Sequence, residues 1–330
     1  MTRHGSGQRS ISHRRRTTGA VVRSVFVALA VLMTYQQASA QLAYQKGQNV
    51  SPAFEGWEAN EDGSFSMVFG YMNRNWLEEL DVPVGAENNI SPGPADQGQP
   101  THFLQRRNRY VFKVQVPANF GDQELVWTLT TQGITQAAYG TLKLDYKLDY
   151  NVIASETGAL GFGISTEESR ANRPPTVSVV GDPVRTTRVG EQVTLVARVV
   201  DDGLPSVRRR AARPPNDEPP RLSATQLRPP SRFTVEKVNG LHLSWFVMRG
   251  DSDVMFDPPQ IKTWEDTRTG ANSPWSPLFT MPEPPENGEW TVQVTFDEPG
   301  TYVLRGRADD GGLYGDTDVR ITVTPATAFE

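Results

Sequence analysis

The stretch Val294–Gly312 reads VTFDEPGTYVLRGRADDGG. Val294 and Phe296 alternate before a Pro-Gly pair, and Tyr302 and Leu304 alternate after it. A period of two marks a strand with one buried face. Pro299 lacks a backbone donor and Gly300 accepts a sharp turn, so the pair breaks the run into two strands joined by a corner. Asp309-Asp310-Gly311 then ends the second strand as a polar turn. The pattern is that of a scaffold rather than of a catalytic loop.

Working outward, the same period recurs on both sides. Val193, Leu195, Ala197 and Val199 alternate in EQVTLVARVVDDG; Leu241, Leu243, Trp245 and Val247 alternate in LHLSWFV; Trp290 and Val292 precede Val294 in WTVQVTF. TVSVVGDPV opens this half of the chain and DVRITVTP closes it. Short strands at this spacing, joined by turns, predict two packed antiparallel sheets with Trp245 in the core.

Taken together, PPTVSVVG, GEQVTLVARVVDDG, LSWFV, VTFDEPGTYVLRGRADDGG and VRITVTP, between Pro174 and Pro325, resemble the PKD-type and related immunoglobulin-like modules of bacterial exported proteins. Tyr302 stands where such folds place a corner tyrosine. The turn that PKD modules carry after the middle strand is absent: FVMRGDSD follows Trp245, and Gly250-Asp251 come too late. The resemblance therefore implies an immunoglobulin-like sandwich more than a PKD module in the narrow sense.

The preceding half is also strand-rich. Phe65, Met67, Phe69 and Tyr71 share one side of SFSMVFGYM, after a turn at Asp62-Gly63. Tyr110, Phe112, Val114 and Val116 share a side of YVFKVQV, and Leu125, Trp127 and Leu129 a side of ELVWTLT. TLKLDYKLDY alternates most regularly, and predicts a strand with Leu142, Leu144, Tyr146, Leu148 and Tyr150 facing in. The fold class expected is all-β, with a β-sandwich at 41–165, a linker at 166–175 ending in Pro174-Pro175, and an immunoglobulin-like domain at 176–330. Residues 204–239 interrupt the second sandwich with an insertion far longer than ordinary loops of about 4–6 residues. It is rich in Pro and carries seven Arg and one Lys against three acids.

Residues 1–40 read as a secretory signal peptide. Six Arg and no acid precede the apolar run VFVALAVLM, and Ala38-Ser39-Ala40 is a small-residue cleavage pattern. The run is short of the roughly 20 apolar residues that span a bilayer, and no later run is longer, so no membrane span is expected after cleavage. Without the six leader arginines, 27 basic residues face 38 acids, a formal charge of −11. Such a chain is a poor nucleic-acid binder, because that binding runs on clustered Lys and Arg. The chain has no Cys, so its cores must hold without disulfides.

The chemistry-bearing residues are sparse. Beyond the leader there are two histidines, His102 in a loop and His242 on the outward side of the Trp245 strand, with no acid patterned beside it. No nucleophile elbow, zinc-binding helix motif or phosphate-binding loop occurs. Several sequence features point to ligands. Asp201, Asp202, Asp309 and Asp310 end strands at what would be one pole of the sandwich, where converging carboxylates and carbonyls suit calcium; the plainer alternative is a pair of polar turns. Arg208, Arg209 and Arg210 of the insertion suit an acidic partner, and Trp264 and Trp275 suit stacking on a sugar ring, or else cover the sandwich edge. Asn73, Asn75, Trp76, Asn88 and Asn89 crowd loops of the first half, where binding residues tend to sit. The expectation is an exported, non-catalytic binding or structural module of a bacterial envelope, with an envelope protein or a polysaccharide as partner. The alternative is a secreted carbohydrate-active enzyme with its acids on loops of the first half.

Overall fold

A computed structural model describes residues 45–157, 166–206, 240–250, 253–264 and 282–326. The expected leader, Arg208, Arg209, Arg210 and Trp275 lie outside the described residues. Gly47–Glu330 forms one compact unit.

The protein is all-β. In the first half, β1 (Val50–Ala59), β2 (Phe65–Asn73) and β6 (Arg106–Val116) form one antiparallel sheet in that order. A second sheet runs β4 (Asn88–Ser91), β7 (Leu125–Thr131), β8 (Ile134–Gly140), and β3 (Leu80–Asp81) pairs with β5 (His102–Phe103). The hairpin between β1 and β2 turns at Gly63 with φ 82°, where Asp62 accepts a hydrogen bond from the Ser64 N–H. Large aromatics fill the core. Phe69 stacks on Phe112 at 5.4 Å between centroids, and Trp127 meets Phe112 edge-on at 5.0 Å. Such pairs add about 0.5–1.5 kcal/mol beyond the area they bury.

Two sequence expectations fail in this half. Tyr110 does not share a face with Phe112. Asn108 lies opposite Tyr71 and Phe112 opposite Phe69, so β6 spends extra residues in a bulge, and Tyr110 sits there with φ 53°. A bulge shifts the side-chain alternation, and Tyr110 turns to the opposite face, stacked on Tyr314 at 5.7 Å. Thr141–Tyr150 is not a strand either. It contains a single 3₁₀ turn at Leu144–Tyr146, and Leu144 is 80% exposed. Alternation needs a neighbouring strand to act on, and this segment has one bridge, Trp57 to Lys147. Asp149 instead caps helix α1 (Tyr150–Glu156), accepting from the Val152 N–H at 2.9 Å.

In the second half, β9 (Thr176–Val179), β11 (Val193–Val200), β14 (Glu289–Phe296) and β13 (Val254–Asp257) form a sheet in the order β13-β14-β11-β9. Its partner runs β10 (Val184–Arg188), β16 (Tyr314–Thr324), β15 (Gly300–Asp309), β12 (His242–Arg249). All pairs are antiparallel except β10 with β16. The alternating residues meet between the sheets as expected: Leu195, Trp245, Val294, Phe296 and Leu304 are all buried. The Tyr302 hydroxyl donates to the Glu298 carbonyl at 3.0 Å, which makes it a tyrosine corner. Gly306 leaves room for Trp245, since a Cβ there would lie 3.1 Å from the indole ring.

The 166–175 segment is not plain coil. Thr166 and Ser169 form a reciprocal capping box on α2 (Glu167–Ala171). The two halves share apolar contacts. Met248, from β12, is buried in the first core, with Phe246 and Val303 packed beside it. Val68, Tyr110, Leu148, Ile153 and Leu313 make a smaller third cluster.

Candidate functional site

The strand-end acids lie where the sheets of the second half turn over. Asp201 and Asp310 line one cavity of about 560 Å³, together with Glu286. Asp201 follows β11 in one sheet and Asp310 follows β15 in the other, so the site draws on both layers. Asp310 is 2% exposed. Its Oδ1 accepts from the Gly312 N–H at 2.5 Å and the Leu313 N–H at 2.7 Å, and its Oδ2 is buried with no partner. Burial pushes this carboxyl up to about 7, against the backbone donors and with the Asp309 charge. Asp201 accepts from the Gly203 N–H through Oδ2, and its buried Oδ1 is likewise unpartnered. Burial, with the charge of Asp202, raises its carboxyl too.

The other two acids are used differently. Asp202 turns outward into backbone bonds, accepting from Arg173 N–H and Leu204 N–H, both at 2.9 Å. Asp309 accepts from the Gly311 N–H and lies opposite His242 in the ladder. His242 therefore does have an acid across from it, which the one-strand pattern did not reveal. It is buried, and burial lowers its basicity. Sequence reasoning missed Asn172. Its side chain is 2% exposed, hydrogen-bonds to Asp310 and leaves Oδ1 buried without a partner. The signal was present only as an Asn just before the Pro pair. Among the described residues no three acids or histidines converge on one point. The described groups offer two carboxylates, one side-chain amide and nearby carbonyls.

A second cavity, of about 510 Å³, lies where the halves meet and is lined by Glu79, His102, Phe246, Met255, Lys262 and Trp264. Trp264 is not a free platform for a sugar. Its Nε1 donates to Asn108 Oδ1 at 3.1 Å, its ring lies 5.1 Å from Phe246, and the Arg307 guanidinium sits over it. His102 is held between carboxylates, Nδ1 to Asp81 and Nε2 to Glu79, each at 2.7 Å. Burial alone would lower its pKa, but the two carboxylates outweigh it and bring it to about 9. A doubly bonded imidazolium has no free nitrogen to act as a base.

The loop asparagines of the first half are structural. Asn88 donates to the carbonyls of Val82 and Pro100, and accepts from the Trp127 indole at 2.9 Å. Asn73 donates to the carbonyls of Glu78 and Phe103, and Asn75 to that of Gln48. Asn89 bonds only locally to Ala86, and Trp76 carries the Arg106 guanidinium on its ring. No helix among the described residues is long and apolar enough to cross a membrane.

No protein-family model matches the chain, and no curated protein matches it. Solved structures similar to it include the complex of titin M10 with an obscurin-like 1 Ig mutant, at 14% identity over 48% of this chain and 99% of that one, TM-score 0.23. Another is the PKD domain of human KIAA0319, at 16% identity over 50% of this chain and 95% of that one, TM-score 0.21. A third is the S-layer protein SbsC, at 10% identity over 84% of this chain and 28% of that one, TM-score 0.21. Likeness at this level carries no functional argument, and the fold assignment stands on the strand order and the tyrosine corner.

Proposed function

We propose that the protein is an exported, non-catalytic binding or structural module of a bacterial envelope. The observation that carries this reading is the junction between the sandwiches, where charged side chains that elsewhere serve chemistry are spent on holding the halves together. Arg307 is 3% exposed, pairs with Asp316 at 2.7 Å and donates to the carbonyls of Arg109 and Tyr110. Arg305 pairs with Asp318 and donates to the Val111 carbonyl. Arg249 pairs with Asp96 and donates to the Gln99 carbonyl at 2.8 Å. Three arginines fixed on backbone carbonyls suit a rigid element that presents its loops to a partner. The partner is an envelope protein or a polysaccharide, and Arg208, Arg209 and Arg210 supply the positive charge to meet an acidic one. The alternative, a secreted carbohydrate-active enzyme, places its acids on first-half loops. There Glu79 and Asp81 are both taken up by His102, which does not favour it.

Three measurements test the reading. Full-length chain expressed with a C-terminal tag is expected in the periplasm or medium with its N-terminus at Gln41, and cytoplasmic recovery at full length would contradict export. A tagged pull-down from solubilised envelope is expected to retain a partner, and to lose it when residues 207–239 are deleted. Turnover of any member of a polysaccharide panel would overturn the non-catalytic assignment.

A further inference from the structure

The pole formed by Asn172, Asp201 and Asp310 has an unmet chemical demand. Three oxygens, Asn172 Oδ1, Asp201 Oδ1 and Asp310 Oδ2, are buried with no hydrogen-bond partner. A buried polar oxygen without a partner costs free energy, and a buried carboxylate oxygen costs more. Native structures keep few such groups, and each calls for an explanation. Here three lie in one region. Asn172 bonds to Asp310, and Asp310 and Asp201 face the same cavity. No Lys or Arg is among the described residues lining that cavity, whereas a third acid, Glu286, is. The described lining therefore brings these oxygens negative charge and no positive charge, a setting that suits a bound cation.

The local turns hold the two carboxylates in place. The backbone donors of Gly203, Gly312 and Leu313 take the other oxygen of each carboxylate, which fixes both carboxylates with one oxygen left over. An all-oxygen donor set of carboxylate, amide and carbonyl, with no Cys and no His, selects a hard divalent ion, and among these calcium accepts irregular geometry and backbone carbonyls.

We propose that this pole binds one calcium ion, held by the side-chain oxygens of Asn172, Asp201 and Asp310, with backbone carbonyls and water completing its shell. The ion ties together three separate pieces of chain. Asp201 ends a strand of one sheet, Asp310 ends a strand of the other, and Asn172 is the C-cap of α2, the short helix between the two halves. Calcium then acts as a cross-link between the layers and stiffens the approach from the first half to the second. Of the four acids the sequence suggested, Asp202 and Asp309 are support: their bonds to backbone N–H groups shape the two turns. Calcium binding at this pole is independent of what the module binds.

The probe is calcium chloride alone, added to the full purified chain after EDTA treatment. Affinity of extracellular modules lies near 10⁻⁴–10⁻³ M, so about 10 mM calcium is expected to raise the melting temperature by a few degrees and to give a one-to-one calorimetric titration. Magnesium at the same concentration is expected to give a much smaller rise, because it demands a tighter octahedral shell. Asp310→Asn keeps the shape and removes the charge, so it is expected to melt no lower than wild type in EDTA while its calcium affinity falls at least about tenfold. Asp201→Asn is expected to behave the same way, and Asp257→Asn, at an exposed position elsewhere, to keep the full response. No calcium-dependent rise in the wild type would overturn the proposal. So would an equal rise in Asp201→Asn, Asp310→Asn and wild type, since the ion would then sit elsewhere.

Discussion

Arg307 places a full positive charge at 3% exposure, where desolvation works against it. Its cost is offset because Asp316 and two carbonyls from the neighbouring sandwich meet it. Arg307→Met strands two backbone acceptors and leaves Asp316 with only the more distant Arg305, at 3.8 Å. The expected loss is about 3–5 kcal/mol, read as a fall in the denaturant midpoint. An unchanged midpoint would mean that water replaces the guanidinium at no cost. The corner tyrosine is a smaller case. Tyr302→Phe removes one donor to the Glu298 carbonyl and is expected to cost about 1 kcal/mol in the same measurement.

His102 gives the molecule a pH dependence with a definite sign. Its folded pKa of about 9 lies above the ordinary value of 6.5, so the charged form is the one that folding favours. The stabilisation is complete below pH 6.5 and is lost as the pH climbs through about 9. Glu79 and Asp81 are 35% and 38% exposed, which trims the effect to about 1–2 kcal/mol. Chemical unfolding at pH 6.5 and pH 9.5 is expected to show that loss in the wild type and not in His102→Gln. A wild type equally stable at both would contradict the carboxylate clamp.

At the scale of elements, the bulge in β6 decides which face Tyr110 and Arg109 take. Gly70 on β2 faces this bulge, and a Cβ there would collide with the Asn108 carbonyl and the Glu55 side chain, with Arg109 Cα at 3.1 Å. Gly70→Ala is expected to cost about 1–3 kcal/mol and to disturb the Tyr110–Tyr314 stack, visible as a changed near-UV spectrum. The same bulge explains why period-two reading worked for β7 and failed for Tyr110. Leu125, Trp127 and Leu129 lie on a strand without interruption, whereas Tyr110 lies inside the unpaired stretch between Asn108 and Phe112, where alternation does not hold. Thr141–Tyr150 fails for another reason. Its alternation describes a surface, but strands exist only where a neighbour offers donors and acceptors, and here Asp149 finds a helix to cap instead.

At the scale of the whole molecule, Gly47–Glu330 is one compact unit with two large cores. Met248 belongs by chain position to the second sandwich and by packing to the first. Scanning calorimetry is therefore expected to show one cooperative transition, lowered as a whole by Arg307→Met. Two separated transitions would mean that the junction adds little to either half.

The sequence by itself determined the class of fold and most of the second core. Strand alternation is local, and the buried face of an uninterrupted strand follows from side-chain order alone, as Leu195, Val294 and Leu304 illustrate. It also determined which chemistry is scarce, because composition is not altered by folding. Of the candidate calcium pole, the two DDG turns were legible, since a turn is written in adjacent residues. Only the tertiary structure decided that Asp201 and Asp310 share a cavity while Asp202 and Asp309 do not, and that Asn172 joins them. Only it put Asp309 across from His242 and turned Trp264 from a candidate sugar platform into a strut between the halves. Those outcomes depend on register and on the approach of segments far apart in the chain, and no local pattern encodes which oxygen is left without a partner once the layers have closed.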